Sequence, residues 1–203
     1  MKIICVGRNY ADHAKELHHE VPESPVIFMK PDTALLRDNQ PFYHPSFSAE
    51  IHHELELVLR ISRPGKSIAE KFASRYYDRI TAGIDFTARD IQEQLKKKGL
   101  PWELAKAFDH SAVTGNFIPL EGIRDPSRIR FSLLKNNELA QQGDSADMIF
   151  SFNRIVSFVS HYFTLRTGDL IFTGTPAGVG KITPGDRLSG FLEDRNVFDF
   201  RIK

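Results

Sequence analysis

Along residues 51–59, Ile-His-His-Glu-Leu-Glu-Leu-Val-Leu, apolar side chains recur at every second position, Leu55, Leu57 and Leu59. That period predicts a β-strand with its leucine face in a core. Side chains alternate along a strand, so His52, Glu54 and Glu56 share the other face. A Glu-x-Glu pair there has two readings. It is the solvated face of an antiparallel sheet. Alternatively, two carboxylates about 6–7 Å apart repel one another, and a hard divalent cation between them relieves the conflict. This stretch alone leaves both open.

Similar patterning predicts the other elements. Strands are expected over residues 2–6, 26–29, 80–84 and 170–173, with Asp85 at the end of the third. Short strands follow near 113–118, 129–136 and 139–142, with Asn136-Asn137 as a hairpin turn. A closing β region ends at Val197-Phe198-Asp199-Phe200-Arg201-Ile202. Weak helical patterning covers 68–77, and strong helix formers fill the second half of 85–95. Met148, Ile149, Phe152, Ile155, Val156, Val159 and Phe163 form a helical stripe within 147–163 that reads as core. Asp12 is a candidate N-cap for a helical turn over 12–17, followed by a polar, proline-punctuated loop to Pro25.

Composition narrows the picture mainly by exclusion. The 203 residues fit one domain, 1–203, with a sizeable core. Lys and Arg number 27 against 26 Asp and Glu, a net charge of +1, which gives no reason to expect nucleic acid or a membrane surface as partner. The run Lys96-Lys97-Lys98 before Gly99 reads as a helix C-terminus, where cations suit the dipole. A single cysteine, Cys5, between apolar neighbours reads as a buried small hydrophobe in a reducing compartment. The short apolar run at the N-terminus falls short of a signal peptide, so a cytoplasmic location is expected.

Two further stretches carry candidate chemistry. His13 and Glu16, three apart on a helical turn, are either a general base with its orienting carboxylate or an ordinary surface pair. Gly174-Thr175-Pro176-Ala177-Gly178-Val179-Gly180 allows a tight turn with exposed amides suited to an anion such as a carboxylate. It lacks the lysine of a nucleotide-binding P-loop.

Taken in order, Gly7-Arg8-Asn9-Tyr10 with Asp12, His13 and Glu16, Phe28-Met29-Lys30-Pro31, Ile51–Glu56, Asp85–Asp90, Trp102–Asp109 and Thr173–Gly180 resemble the fumarylacetoacetate hydrolase family over almost the whole chain. The similarity is to its short form, in the acylpyruvase and oxaloacetate decarboxylase branch. The one departure is Asn136-Asn137-Glu138, where relatives carry Asn-Gly-Glu. The resemblance implies a mainly β fold of the α+β class, with mixed sheets rolled into a sandwich-like barrel and a few short helices, and a homodimer. It implies Mg²⁺ or Mn²⁺ held by Glu54, Glu56 and Asp85, and a His13–Glu16 catalytic dyad on a segment that orders when substrate binds. Lys106 would contact substrate and transition state, and Arg8, Arg89 and Thr175 would be lesser substrate contacts.

The chemistry that follows is cleavage of a carbon–carbon bond in a 2-oxo acid. Its carboxylate and carbonyl oxygens chelate the metal, which as a Lewis acid stabilises the pyruvate enolate left behind. Acylpyruvate hydrolysis needs water activated by His13, whereas oxaloacetate decarboxylation needs none. The alternative within the family is isomerisation or decarboxylation of a 2-hydroxyhepta-2,4-diene-1,7-dioate by the same enolate logic. A non-catalytic metal- or ligand-binding β protein is a different class, disfavoured because mere binding needs no base.

Overall fold

A computed structural model of the chain describes residues 1–11 and 22–203. The turn expected over 12–17, with His13 and Glu16, lies outside the described residues, as does most of the segment expected to order on substrate binding. That segment is expected to run from about Tyr10 to Ser24, and its first residue is no part of a loose loop: Tyr10 is 3% exposed and bridges Met148 across an isolated antiparallel pair.

The leucine-rich stretch forms β5, Leu55–Ile61, and every residue of it but Arg60 is buried. Leu55, Leu57, Leu59 and Ile61 enter the main core, while Val58 joins a smaller cluster with Ile3, Cys5, Ala112 and Phe172 on the other face. Burial on both faces removes the solvated-face reading of Glu56. It also explains why a continuous apolar run suits this strand, since each fully buried Leu or Val contributes roughly 1.5–3 kcal/mol. Cys5 is wholly buried, and that burial pushes its thiol pKa well up.

The strand pairs antiparallel with β6, Tyr77–Asp85, on one side and with β12, Leu170–Phe172, on the other. Outward from β12 lie β1, Ile3–Gly7, which runs parallel to it, and β2, Val26–Lys30. Beyond β6 lie β8, Ala112–Thr114, and β3, Leu35–Leu36, again a parallel pair; β9, Ile118–Pro119, also pairs with β6. This eight-stranded mixed sheet is faced by four antiparallel strands in the order β11, Glu138–Asp144, β10, Arg130–Lys135, β14, Arg187–Leu192, and β15, Arg195–Arg201. Phe131, Leu133, Leu188 and Phe198 from these strands share one core with β5. A third, three-stranded sheet joins β4, Ile51–His53, to β7, Thr87–Ala88, and β13, Gly180–Lys181. The expected mixed β fold with short helices is the fold observed.

Local chemistry accounts for the boundaries. Asn136 and Asn137 have φ of 55° and 68°, so the two-residue turn between β10 and β11 takes the left-handed conformation that Asn tolerates. The helix α1, Arg89–Lys98, stops at Gly99 with φ 64°. A second short helix, α2, spans Glu103–Lys106. The helix expected from 147 begins later, as α3, Phe152–Tyr162, because Ser151 caps it by accepting from the Arg154 N–H. Met148 before it is extended. The weak pattern over 68–77 yields only a 3₁₀ segment, Glu70–Tyr76.

Asn9 fastens three of these pieces. Its amide donates to the carbonyls of Phe150 and Thr173 at 3.1 and 2.7 Å and accepts from the Phe150 N–H at 2.7 Å, all buried. Asn9→Ala leaves these groups unpaired away from water, and a loss of about 2–4 kcal/mol is expected. Urea unfolding of the variant measures it; a midpoint unchanged from wild type contradicts the assignment.

Candidate active site

The chain changes sheets at Glu54, which lies between β4 in the three-stranded sheet and β5 in the eight-stranded one. Glu56 follows on β5, and Asp85 closes β6, its N–H bonded to the Glu54 carbonyl at 2.9 Å. The β5–β6 register therefore brings a carboxylate from a distant part of the chain beside the Glu-x-Glu pair. Each of the three residues offers an oxygen within 4.8 Å of the others, and all three are buried.

Cations surround two of them. Lys106 Nζ, at the end of α2, is 2.7 Å from Glu54 Oε2, 2.7 Å from Asp85 Oδ2 and 2.6 Å from Thr87 Oγ1. Burial alone would lower the Lys106 pKa, but Asp85 and Glu54 outweigh it and raise it. Arg89 Nη2 reaches Glu54 Oε1 at 2.5 Å, and Arg89 Nη1 is held by Gln92 Oε1 at 2.6 Å. Lys30 Nζ pairs with Asp85 Oδ1 at 2.7 Å, an ionic contact off hydrogen-bonding direction. Lys30 also donates to Ser111 Oγ at 2.9 Å and to the Lys106 carbonyl. It thereby ties the β2 end, β6 and α2 together.

Glu56 is treated differently. Among the described residues it has no ion pair; its Oε2 accepts the Gly174 N–H at 2.7 Å. Burial first, then the negative charges of Asp85 and Glu54, push its pKa well up. The amide-rich turn expected to take a carboxylate thus takes one from the chain itself. That turn needs glycine: Gly174 has φ +100°, and a Cβ there would sit 2.7 Å from that of Asn9.

The structure brings most of the sequence-predicted site together. Arg8, Glu54, Glu56, Asp85, Arg89, Lys106 and Thr175 line one cleft with Phe28, Gln92, Lys96 and Trp102. His52 does not join the carboxylates: β4 lies in another sheet, and its Nε2 is 3.3 Å from Glu50 Oε2. His13 and Glu16 lie outside the described residues. The sequence assigns no role to Lys30, although it lies in the Phe28-Met29-Lys30-Pro31 stretch that resembles the family, and none to Gln141. Gln141 Oε1 accepts from His53 Nδ1 at 2.8 Å and the Leu55 N–H at 2.9 Å, while its Nε2 donates to Thr175 Oγ1 at 3.0 Å. Burial holds the His53 pKa down at about 4, so the ring is neutral and donates to the amide oxygen. Nothing local gives either residue its role, since their partners lie 34 to 88 positions away in sequence.

An all-oxygen, buried, carboxylate-only donor set fits a hard divalent cation, and the one carboxylate without a cationic partner supplies the reason to bind one. Glu56→Gln keeps an oxygen for the Gly174 N–H and removes a repelled charge. Mn²⁺ affinity, followed by calorimetry, is expected to fall at least roughly tenfold, with no drop in the thermal midpoint of the metal-free protein. Unchanged affinity counts against Glu56 as a ligand.

A mixed β-roll with this carboxylate cluster defines a class of hard-metal enzyme domains, and comparison with known proteins gives it a family. Residues 2–203 match the fumarylacetoacetate (FAA) hydrolase C-terminal family, and the chain belongs to it. It is 44% identical over 201 residues to oxaloacetate tautomerase FAHD1, mitochondrial, of Mus musculus, covering 99% of this chain and 91% of the relative. It is 40% identical over 185 residues to the mitochondrial oxaloacetate decarboxylase of Dictyostelium discoideum, covering 91% and 85%. The crystal structure of fumarylpyruvate hydrolase from Pseudomonas aeruginosa, in complex with Mn²⁺ and pyruvate, superposes with a TM-score of 0.94 at 36% identity, covering 100% of this chain and 89% of that one.

Proposed function

We propose that this chain is a divalent-cation-dependent enzyme that cleaves a carbon–carbon bond of a 2-oxo acid. The reaction is acylpyruvate hydrolysis, oxaloacetate decarboxylation or both, by way of a pyruvate enolate. The observation that carries the reading is the convergence of Glu54, Glu56 and Asp85 on one buried point with Lys106 beside it. Relatives at 40% identity or above act on oxaloacetate by name, and the Pseudomonas neighbour holds Mn²⁺ and pyruvate.

In this reading Glu54, Glu56 and Asp85 hold Mg²⁺ or Mn²⁺, which when bound draws off negative charge from the substrate's carbonyl oxygen. Arg89 and Thr175 orient the carboxylate beside the carbonyl, Thr175 being steadied by Gln141, and Arg8 is a further substrate contact on the cleft wall. Lys106 offsets the charge that develops on the reacting oxygen. For hydrolysis, His13, oriented by Glu16, takes a proton from water. The resulting hydroxide adds to the distal carbonyl, the adjacent carbon–carbon bond breaks, and its electron pair passes to pyruvate as the enolate. Protonation at carbon gives pyruvate beside a carboxylic acid. Decarboxylation reaches the same enolate by loss of carbon dioxide.

Keto–enol interconversion of oxaloacetate, the activity in the mouse relative's name, requires only proton transfer through an enolate and suits the same groups. Isomerisation of a 2-hydroxyhepta-2,4-diene-1,7-dioate is the lesser fit, since the relatives named above carry the names of oxaloacetate and fumarylpyruvate enzymes. The catalytic unit is residues 1–203 in one domain, working as a homodimer. Light scattering tests the dimer. The buried, unpaired Cys5 suits a reducing compartment, and no helix among the described residues is long and apolar enough to cross a membrane.

Hydrolysis and decarboxylation separate the roles. His13→Ala is expected to slow acetylpyruvate hydrolysis roughly 10²–10⁴-fold and oxaloacetate decarboxylation much less. Lys106→Ala is expected to impair both. Side-by-side rates decide; equal losses in the His13 variant would exclude it as the base that activates water.

A further inference from the structure

Lys96 breaks the pattern of its own run. Lys97 and Lys98 are exposed at the end of α1, as cations serving a helix terminus are, whereas Lys96 is half-buried and lines the cleft. The helix sets this. Arg89, Gln92 and Lys96 are spaced by three and four residues, so they fall on one face, and all three line the cleft with the carboxylates. Lys96 Nζ lies 5.5 Å from the centre of the Trp102 ring, which packs on Phe28 at 6.1 Å between centres.

What Lys96 lacks is an anion. Among the described residues it has no ion pair and no hydrogen-bond acceptor, and the same holds for Arg8 on the cleft wall. The backbone at Arg8 is left-handed, with φ 61°, a conformation that costs a non-glycine residue energy. The cleft carries four cationic side chains, Arg8, Arg89, Lys96 and Lys106, against three carboxylates. A divalent cation widens the excess. Burial and the charge of Arg89 bring the Lys96 pKa down to about 8; the Glu54 carboxylate opposes them without pairing with the amine, and Arg8 and Lys106 add to the lowering. An amine in that setting gains from a bound anion.

We infer that Lys96, with Arg8, receives the second carboxylate of a dicarboxylic 2-oxo acid and makes this enzyme selective for such substrates over monocarboxylic acylpyruvates. The inference rests on the proposed 2-oxo acid chemistry. It assigns to a lysine of the helix end a specificity role that charge at a helix terminus does not require.

Calorimetric titration of the Mg²⁺-loaded protein tests it without turnover. Oxomalonate and 2-oxoglutarate bracket oxaloacetate in length, and pyruvate lacks the second carboxylate. Wild type is expected to bind at least one of the dicarboxylates more tightly than pyruvate. Lys96→Met keeps the packing on Trp102, and its preference for the dicarboxylate over pyruvate is expected to fall roughly 10- to 100-fold, the worth of one hydrogen bond to a charged group. Lys96→Arg should restore most of it. The KM for oxaloacetate should rise with the same variant, with a smaller change for acetylpyruvate. Equal losses for dicarboxylate and pyruvate, no loss, or a wild type without the preference would overturn the proposal. Selective binding without turnover of either substrate would sustain the role of Lys96 and remove the proposed reaction.

Discussion

Three carboxylates buried within 4.8 Å of one another are the constraint on which the remaining architecture depends. Charges taken out of water must be compensated by charges or hydrogen bonds arranged nearby, or they are neutralised instead. Lys106 and Arg89 compensate Glu54, Lys106 and Lys30 compensate Asp85, and a backbone amide serves Glu56. Each compensating group comes from a different element. The carboxylate cluster therefore fixes the relative positions of β2, β6, α1, α2 and the turn after β12. Removing one partner exposes the others to an uncompensated neighbour, so these residues are expected to tolerate substitution poorly as a set.

The same constraint connects fold to chemistry. A cleft that keeps three acidic groups close needs rigid walls, and β5 supplies one by being buried on both faces. The Lys30 contacts with Asp85, Ser111 and the Lys106 carbonyl hold α2 against the carboxylate cluster. Gln141 joins the change of sheet at Glu54, through His53 and Leu55, to Thr175 in the same cleft. Positioning by buried polar networks is well suited to enolate chemistry, where charge builds on one oxygen and must meet preorganised partners.

Much of this is legible in the amino-acid sequence itself. The alternation of Leu55, Leu57 and Leu59 is a local signal, and so are Asn136-Asn137 and the Gly174 turn. They depend on backbone geometry within a few residues, which sequence states directly. Glu54, Glu56 and Asp85 are recoverable because motifs of the family place them in order. The roles of Lys30, Gln141 and Lys96 are not, although Lys30 stands in one of those motifs. Whether a lysine is solvated or buried beside an aspartate depends on what long-range strand pairing brings against it. Lys96 resembles its neighbours Lys97 and Lys98 because a run of like residues conceals which one turns inward. The start of α3 escapes the periodicity for a related reason: the hydrophobic stripe continues through Met148, whereas the cap at Ser151 decides where the helix begins.

In the proposed reaction the carboxylate triad holds a cation that makes a pyruvate enolate accessible. Exchange of the pyruvate methyl hydrogens for deuterium, followed by proton NMR in heavy water, reads that enolate without any bond cleavage. Exchange catalysed by the purified chain with Mg²⁺ or Mn²⁺ present, and abolished by chelation of the cation, is the predicted result. Exchange that proceeds equally well without a divalent cation, or none at all in a preparation that turns over oxaloacetate, would contradict it.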